Sequence, residues 1–244
     1  MNAHDGLLDR LLPTYRTVCS IVEYSYQRLN FNFEAAEGAL LGAESGLDAD
    51  FVQRIDILID SIRNRDSIWL LREEIFGAEI DFRTHAYKDA LANVFAFREG
   101  LLRWLALREG VQLEDNRKLA PEWLNSQSEE LLIYLKEKNI DLKRNVTTFV
   151  FERILGFLAR QNPALKTLTD RIDRFVALST IRNNAIHNHA GVSINDVSRE
   201  YNGSVKEVIH DMRDLLVQIT NIDMGDNPYD TINALILDLI EVRP

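Results

Sequence analysis

Arg182, Asn183 and His187 are the residues whose types and spacing could do chemistry. They stand in the run Ile181-Arg182-Asn183-Asn184-Ala185-Ile186-His187, with an imidazole five residues after a guanidinium and an amide beside the guanidinium. This set suits cleavage of RNA by its own 2′-hydroxyl. The nucleophile is already on the substrate, so the protein must move a proton near neutral pH, which imidazole does. It must also set fixed positive charge against the phosphate as negative charge builds, which guanidinium does. Asn183 can orient either group or donate to a phosphate oxygen. The products would be a 2′,3′-cyclic phosphate and a 5′-hydroxyl. One Arg and one His make a thin site, so a second copy from a dimer partner is the natural supplement. The spacing alone recurs by chance, and a satisfied core His beside a surface Arg is the competing structural reading.

The element that must position these residues is the run before them. Leu165, Leu168, Ile172, Phe175 and Val176 recur at three- and four-residue steps, which predicts one amphipathic helix from Leu165 to Ile181. Continued at helical pitch, that helix carries Asn183 and His187 on its apolar stripe, with Arg182 at the edge. Polar groups facing a core are costly unless paired or used. The charge around them is also unusual. From Lys136 to His189 there are ten basic and five acidic residues, while the whole chain has a net charge of −10. The motif therefore lies in a basic segment of an acidic protein. That overall balance argues against a general nucleic-acid coat, and ordinary helix-face charge is the plainer account of the basic segment.

The 244 residues allow one large domain or two small ones, with length enough to bury a core. Eleven Gly and five Pro are too few for a turn-rich all-β chain. The single Cys19 excludes an internal disulfide and points to a reducing compartment. With no secretory pattern at the start and no apolar run of membrane-spanning length, the expected location is cytoplasmic, with no membrane partner.

Along the chain the periodicity predicts about nine to eleven helices and no strand. Leu7 to Leu29 reads as a helix with Leu8, Leu11, Leu12, Tyr15, Val18, Ile21, Val22 and Tyr26 on one side, and with Pro13 as a kink or the true start. An Ala-rich helix follows Phe31-Asn32-Phe33-Glu34 and ends near Gly46. Asp48 can cap the next. Asp66 to Phe76 reads as a short helix closed by Gly77, and His85 to about Glu109 as a long one. Val111 to Gln127 reads as a connector with at most one helical turn. Ser128 opens a capping-box-like run, and Thr147 to Gln161 is helical until Asn162-Pro163 stops it. Gly191 is a plausible stop for the motif helix. Ser193 to Glu200, Ser204 to Asn221 and Pro228 to Glu241 complete the set. The fold class is all-α.

Other chemistries find little support. His187 and His189, two apart on a helix, cannot share one ion. Asp223, Asp226 and Asp230 lack calcium-loop spacing and read as a solvated turn. There is no Gly-rich phosphate loop and no Gly-x-Ser-x-Gly elbow. Cys19 reads as core packing. No metal or other cofactor is expected.

The run Arg182-Asn183-Asn184-Ala185-Ile186-His187 resembles the R-N-x-x-x-H motif of HEPN ribonucleases. The C-terminal half is similar to the HEPN effector domain of type III CRISPR accessory ribonucleases of the Csm/Csx type. Asn227-Pro228-Tyr229-Asp230-Thr231-Ile232-Asn233, followed by an apolar helix, is similar to the end of those domains. Phe31-Asn32-Phe33-Glu34-Ala35-Ala36 resembles, more loosely, an early helix start there. The resemblance implies a homodimeric multi-helix bundle and a metal-independent endoribonuclease of single-stranded RNA in antiviral defence. Two copies of Arg182 and His187 would meet at the dimer interface, with Asn183 beside them. Members usually carry a CARF domain that senses cyclic oligoadenylate. No βαβ alternation precedes these helices, so the expectation is one helical effector domain over 1–244. Its N-terminal helical part would span about 1–125 and its motif-bearing part about 126–244; either any CARF sensor is on a separate polypeptide or this is a separated effector module. Two alternatives stay open: a non-catalytic dimerisation or RNA-binding module on the same scaffold, and a toxin of a toxin–antitoxin pair.

Overall fold

The structure is a computed structural model that describes residues 3–41, 49–63, 66–115, 117–187 and 191–241, and their side chains apart from those of 3–11, 49, 61, 186 and 187. The all-α expectation holds, with one small exception. Among the described residues there are thirteen α-helices, one 3-10 segment and a two-stranded hairpin of two-residue strands, more helices than the sequence pattern predicts. The chain divides into two compact units, residues 1–76 with 224–244, and residues 77–223.

In the first unit, α1 (Ala3–Leu29) packs against α2 (Phe33–Leu41) and α13 (Pro228–Glu241), and α2 packs against α3 (Ala49–Arg63). Pro13 lies inside α1 and does not start it. The face of α1 that packs holds Thr17, Ile21, Tyr24 and Arg28, so of the expected apolar side Ile21 is buried and Val18 half-buried, whereas Leu12, Tyr15, Val22 and Tyr26 are exposed. Cys19 is exposed as well, which corrects its reading as core. The buried face includes an ion pair. Arg28 donates through Nε and Nη2 to Glu73 at 2.9 and 2.6 Å, and through Nη1 to the Tyr24 hydroxyl at 2.6 Å. Two parallel bonds to one carboxylate satisfy both charges, which is what lets so polar a pair sit in a core. The start of α13 is set by Asn227, whose side chain accepts from the Tyr229 amide at 3.0 Å. Phe33 lies edge-on to Trp69 in this unit, at 5.0 Å between ring centroids. The proposed stop near Gly46 and the Asp48 cap lie outside the described residues.

The helix expected to close at Gly77 instead runs on as α4 (Ser67–Arg83). Gly77 is a packing glycine. A Cβ there would come within 2.8 Å of the Asn93 side-chain nitrogen, which donates to Asp81 at 2.9 Å. The second unit is built around α5 (Tyr87–Arg108), whose buried face includes Leu91, Val94, Phe95, Phe97, Leu101 and Leu105. The connector after it is more ordered than its polarity suggests. Leu113–Glu114 (β1) pairs antiparallel with Lys118–Leu119 (β2), and α6 (Pro121–Ser126) anchors Trp123 in the core. Then come α7 (Glu129–Glu137), capped by Ser128 as expected, and α8 (Thr148–Leu158), which packs on both α5 and α7. α9 (Pro163–Asp173) starts with Asn162 as its cap and Pro163 in its first turn. Both α11 (Ile194–Tyr201) and α12 (Val205–Thr220) open with full capping boxes, Ser193 with Asp196 and Ser204 with Glu207.

No helix among the described residues is long and apolar enough to cross a membrane.

Candidate functional site

The helix expected to run unbroken from Leu165 into the motif is broken. After α9 the chain forms a 3-10 segment, Arg174–Leu178, and then α10 (Ser179–His187). A 3-10 turn has three residues where an α-helix has 3.6. The buried stripe therefore steps by threes through Ile172, Phe175, Leu178 and Ile181, and then by four to Ala185. Val176, which the unbroken pattern places on the stripe, is 42% exposed. Asn183 is also exposed. The change of phase turns Asn183 from the core to the surface, so it incurs no burial cost.

Arg182 is half-buried at the edge of that stripe. Its guanidinium carbon lies 5.0 Å from the centroid of the Phe95 ring on α5. Its Nε is buried and has no hydrogen-bond acceptor among the described residues. A flat aromatic support holds the guanidinium plane. With no acceptor given to Nε there, donor capacity is left for a further group. His187 is the last residue of α10, one turn after Asn183. Its neighbours 188–190, among them His189, lie outside the described residues, and Gly191 is outside the helix.

The 3-10 segment is clamped from two sides. The Phe175 ring stacks on Tyr201 of α11 at 5.9 Å and meets Phe97 of α5 edge-on at 6.2 Å. Asp211 of α12 accepts from both Arg174 and the Tyr201 hydroxyl, each at 2.5 Å. Burial, reinforced by the bond to Asp211, pushes the Tyr201 phenol well above its ordinary range. It therefore stays a donor at any working pH.

Next to Phe95 a cleft of about 620 Å³ opens between α5, α8 and α9 and reaches Ser179, the first residue of α10. Arg98, Arg153, Arg160 and Lys166 line it. Arg98 donates to Glu152 at 2.5 Å and to Asp173 at 3.5 Å, and Lys166 donates to Asp170 at 2.6 Å. Burial pushes the Asp173 carboxyl above its usual range, with Arg98 working against that shift. Among the described residues no group of three or more His, Cys, Asp or Glu could hold a metal ion. Asp223, Asp226 and Asp230 are each exposed, as a solvated turn requires.

Phe95 was legible in the sequence only as one apolar residue of a long helix, and nothing in the pattern marks it as the support for Arg182. Arg153 and Arg160 were visible only as part of the basic segment.

Residues 70–237 match the family described as the Cas_Csm6 HEPN domain. The chain belongs to that family. Among solved structures it is similar to Enterococcus italicus Csm6 bound to cyclic hexa-2′-fluoro-hexa-dAMP, with a TM-score of 0.57 over 92% of this chain. At 14% identity that likeness concerns the fold, and the chain spans 57% of the length of that relative. No curated protein matches the chain. The Csm6 HEPN family model covers the segment from within α4 to within α13, so it includes α10 and all three motif residues.

Proposed function

We propose that this chain is a metal-independent endoribonuclease of single-stranded RNA, with Arg182, Asn183 and His187 as its catalytic residues. The observation that carries the reading is the Arg182 guanidinium, supported on Phe95 with a buried Nε that has no acceptor among the described residues. It stands on the same helix as Asn183 and His187, within a Csm6 HEPN domain.

In this mechanism His187 takes the proton from the 2′-hydroxyl as that oxygen attacks the adjacent phosphorus. The bond from phosphorus to the 5′-oxygen breaks, and the leaving oxygen receives a proton. Arg182 donates to the non-bridging oxygens, where negative charge grows. Asn183, exposed beside it, donates to a phosphate oxygen. A homodimer brings two such sets together and supplies a second imidazole, so one can act as base while the other acts as acid. The whole chain serves as a helical effector domain in CRISPR-linked antiviral defence. The relative's bound cyclic hexanucleotide analogue supports a cyclic oligoadenylate as the controlling signal, received by a CARF sensor outside these helices.

The deciding experiment incubates the purified protein with labelled single-stranded RNA in EDTA and identifies the product ends. Cyclic phosphate and 5′-hydroxyl ends are expected. Arg182→Ala and His187→Ala should each lower the rate by about 10²-fold or more. Unchanged cleavage in both variants removes these residues from the mechanism, and a requirement for metal removes the mechanism itself.

A further inference from the structure

The cleft beside Phe95 has a use that the cleavage chemistry does not assign to it. Its lining carries four cations and three carboxylates, Glu152, Asp170 and Asp173. The carboxylates are taken up by Arg98 and Lys166. Arg153 and Arg160 are left with aromatic partners. The Arg153 guanidinium carbon lies 4.5 Å from the Phe149 centroid, and that of Arg160 lies 4.5 Å from Tyr134 and 5.0 Å from Phe157. No ion pair to either is found among the described residues. Arg153 Nε, like that of Arg182, is buried with no acceptor there. A ring beneath a guanidinium holds its orientation, and Arg160, which is exposed, and Arg153, which is half-buried, keep part of their donor set within reach of a phosphate in the cleft. Two such groups face one cleft, and Phe95 is at once a wall of that cleft and the support of Arg182.

We propose that this cleft is a subsite of the RNA track, in which Arg153 and Arg160 bind backbone phosphates that follow the one held at Arg182. The inference rests on the ribonuclease reading and adds the course of the strand across the domain. From α10 the strand passes Arg182 and enters the groove between α8 and α9. The base of the bound nucleotide stacks on the outer face of the Arg160 guanidinium, a mode open to any base. A subsite of this kind favours single strands, whose bases are free to leave a stack. It holds the substrate without acting on the scissile bond.

The test compares the full chain with its Arg153→Gln/Arg160→Gln variant on one labelled single-stranded RNA oligonucleotide. Binding is measured in a His187→Ala background across a salt series, and cleavage kinetics in the native background. The variant should raise KM by about tenfold, with a much smaller fall in kcat. It should also lower the slope of log affinity against log salt by about 0.7 to 1.4, the single-strand value for one or two lost phosphate contacts. Arg160 is exposed, so the single Arg160→Gln variant keeps its fold and decides the same question with a slope change of about 0.7. If the unaltered chain cleaves RNA and the variants keep its KM and salt slope, the subsite is overturned and the ribonuclease reading stands. If the unaltered chain neither binds nor cleaves RNA, both fall.

Discussion

The guanidinium carbon of Arg182 sits 5.0 Å from the centre of the Phe95 ring, and Phe95 is only 7% exposed. A buried aromatic on the central helix thus fixes the orientation of the one arginine in the motif. Phe95→Leu keeps an apolar side chain of similar bulk but removes the ring face, worth about 0.5–2 kcal/mol to a cation. The expected result is a fall of several-fold in kcat for RNA cleavage, with the unfolding midpoint lowered only slightly. Circular dichroism melts run beside the kinetics separate the two effects. A drop in stability with full retained turnover would show that the ring serves packing alone.

Much of the helical order was legible because it is written in local chemistry. Ser128, Ser193 and Ser204 each cap the helix their position suggests, Pro163 stands in the first turn of α9, and Pro228 opens the last helix. What was not legible depends on contacts distant in sequence. The 3-10 segment Arg174–Leu178 is held by Phe97, Tyr201 and Asp211, none of which is near it in sequence. No periodicity within Leu165–His187 reveals that the pitch changes there, so the pattern puts Asn183 on the apolar stripe while the structure exposes it. The apolar side of α1 is legible only in part, at Ile21, for a related reason. Arg28 and Tyr24 are buried because Glu73 and the Leu58 carbonyl receive them, and a hydropathy pattern does not contain those partners. Gly77 reads as a stop in one dimension, while in three it makes room for Asn93.

The Arg28–Glu73 pair is almost wholly buried, with side chains 2% and 3% exposed. Burial works against the Arg28 charge, and the bonds and charge of Glu73 more than restore it, leaving the group above its ordinary range. Removing one partner strands the other. Glu73→Gln should therefore cost about 3–5 kcal/mol in urea unfolding. The double variant Arg28→Met/Glu73→Leu strands no charge and should recover most of that loss. Equal destabilisation by the single and double variants would mean that packing volume, not the charge pair, sets the cost.

Acid should tighten parts of this fold. Burial, and after it the neighbouring Glu73, pushes the Glu74 carboxyl up to about 7. Burial and then Asp89 push Asp81 up to about 6, against the lowering effect of the Asn93 bond. Both folded values lie above the unfolded ones near 4. The native state therefore binds more protons between about pH 4 and pH 7, and this contribution to stability falls as pH rises through that window. Glu74→Gln should raise stability at pH 8 by on the order of 1–3 kcal/mol. The gain should shrink towards zero by about pH 4, where the native carboxyl is already neutral. Thermal melts at the two pH values check this. A gain of the same size at both would point to a cause other than titration.

Asp211 joins the 3-10 segment to two helices, because Arg174 and Tyr201 both donate to it. The phase change that exposes Asn183 depends on that segment holding its tight pitch, so the clamp should matter for catalysis as well as for folding. Tyr201→Phe removes one donor to a carboxylate and keeps the ring stacked on Phe175, at a cost of about 1.5–3 kcal/mol. Turnover should stay near normal, since Arg174 still reaches Asp211. Asp211→Ala releases both donors. It should speed amide hydrogen exchange selectively over 174–187 and lower RNA cleavage beyond what the Tyr201 variant does. Exchange over that stretch that matches the unaltered protein would show that Phe97 and Phe175 hold the pitch without the carboxylate.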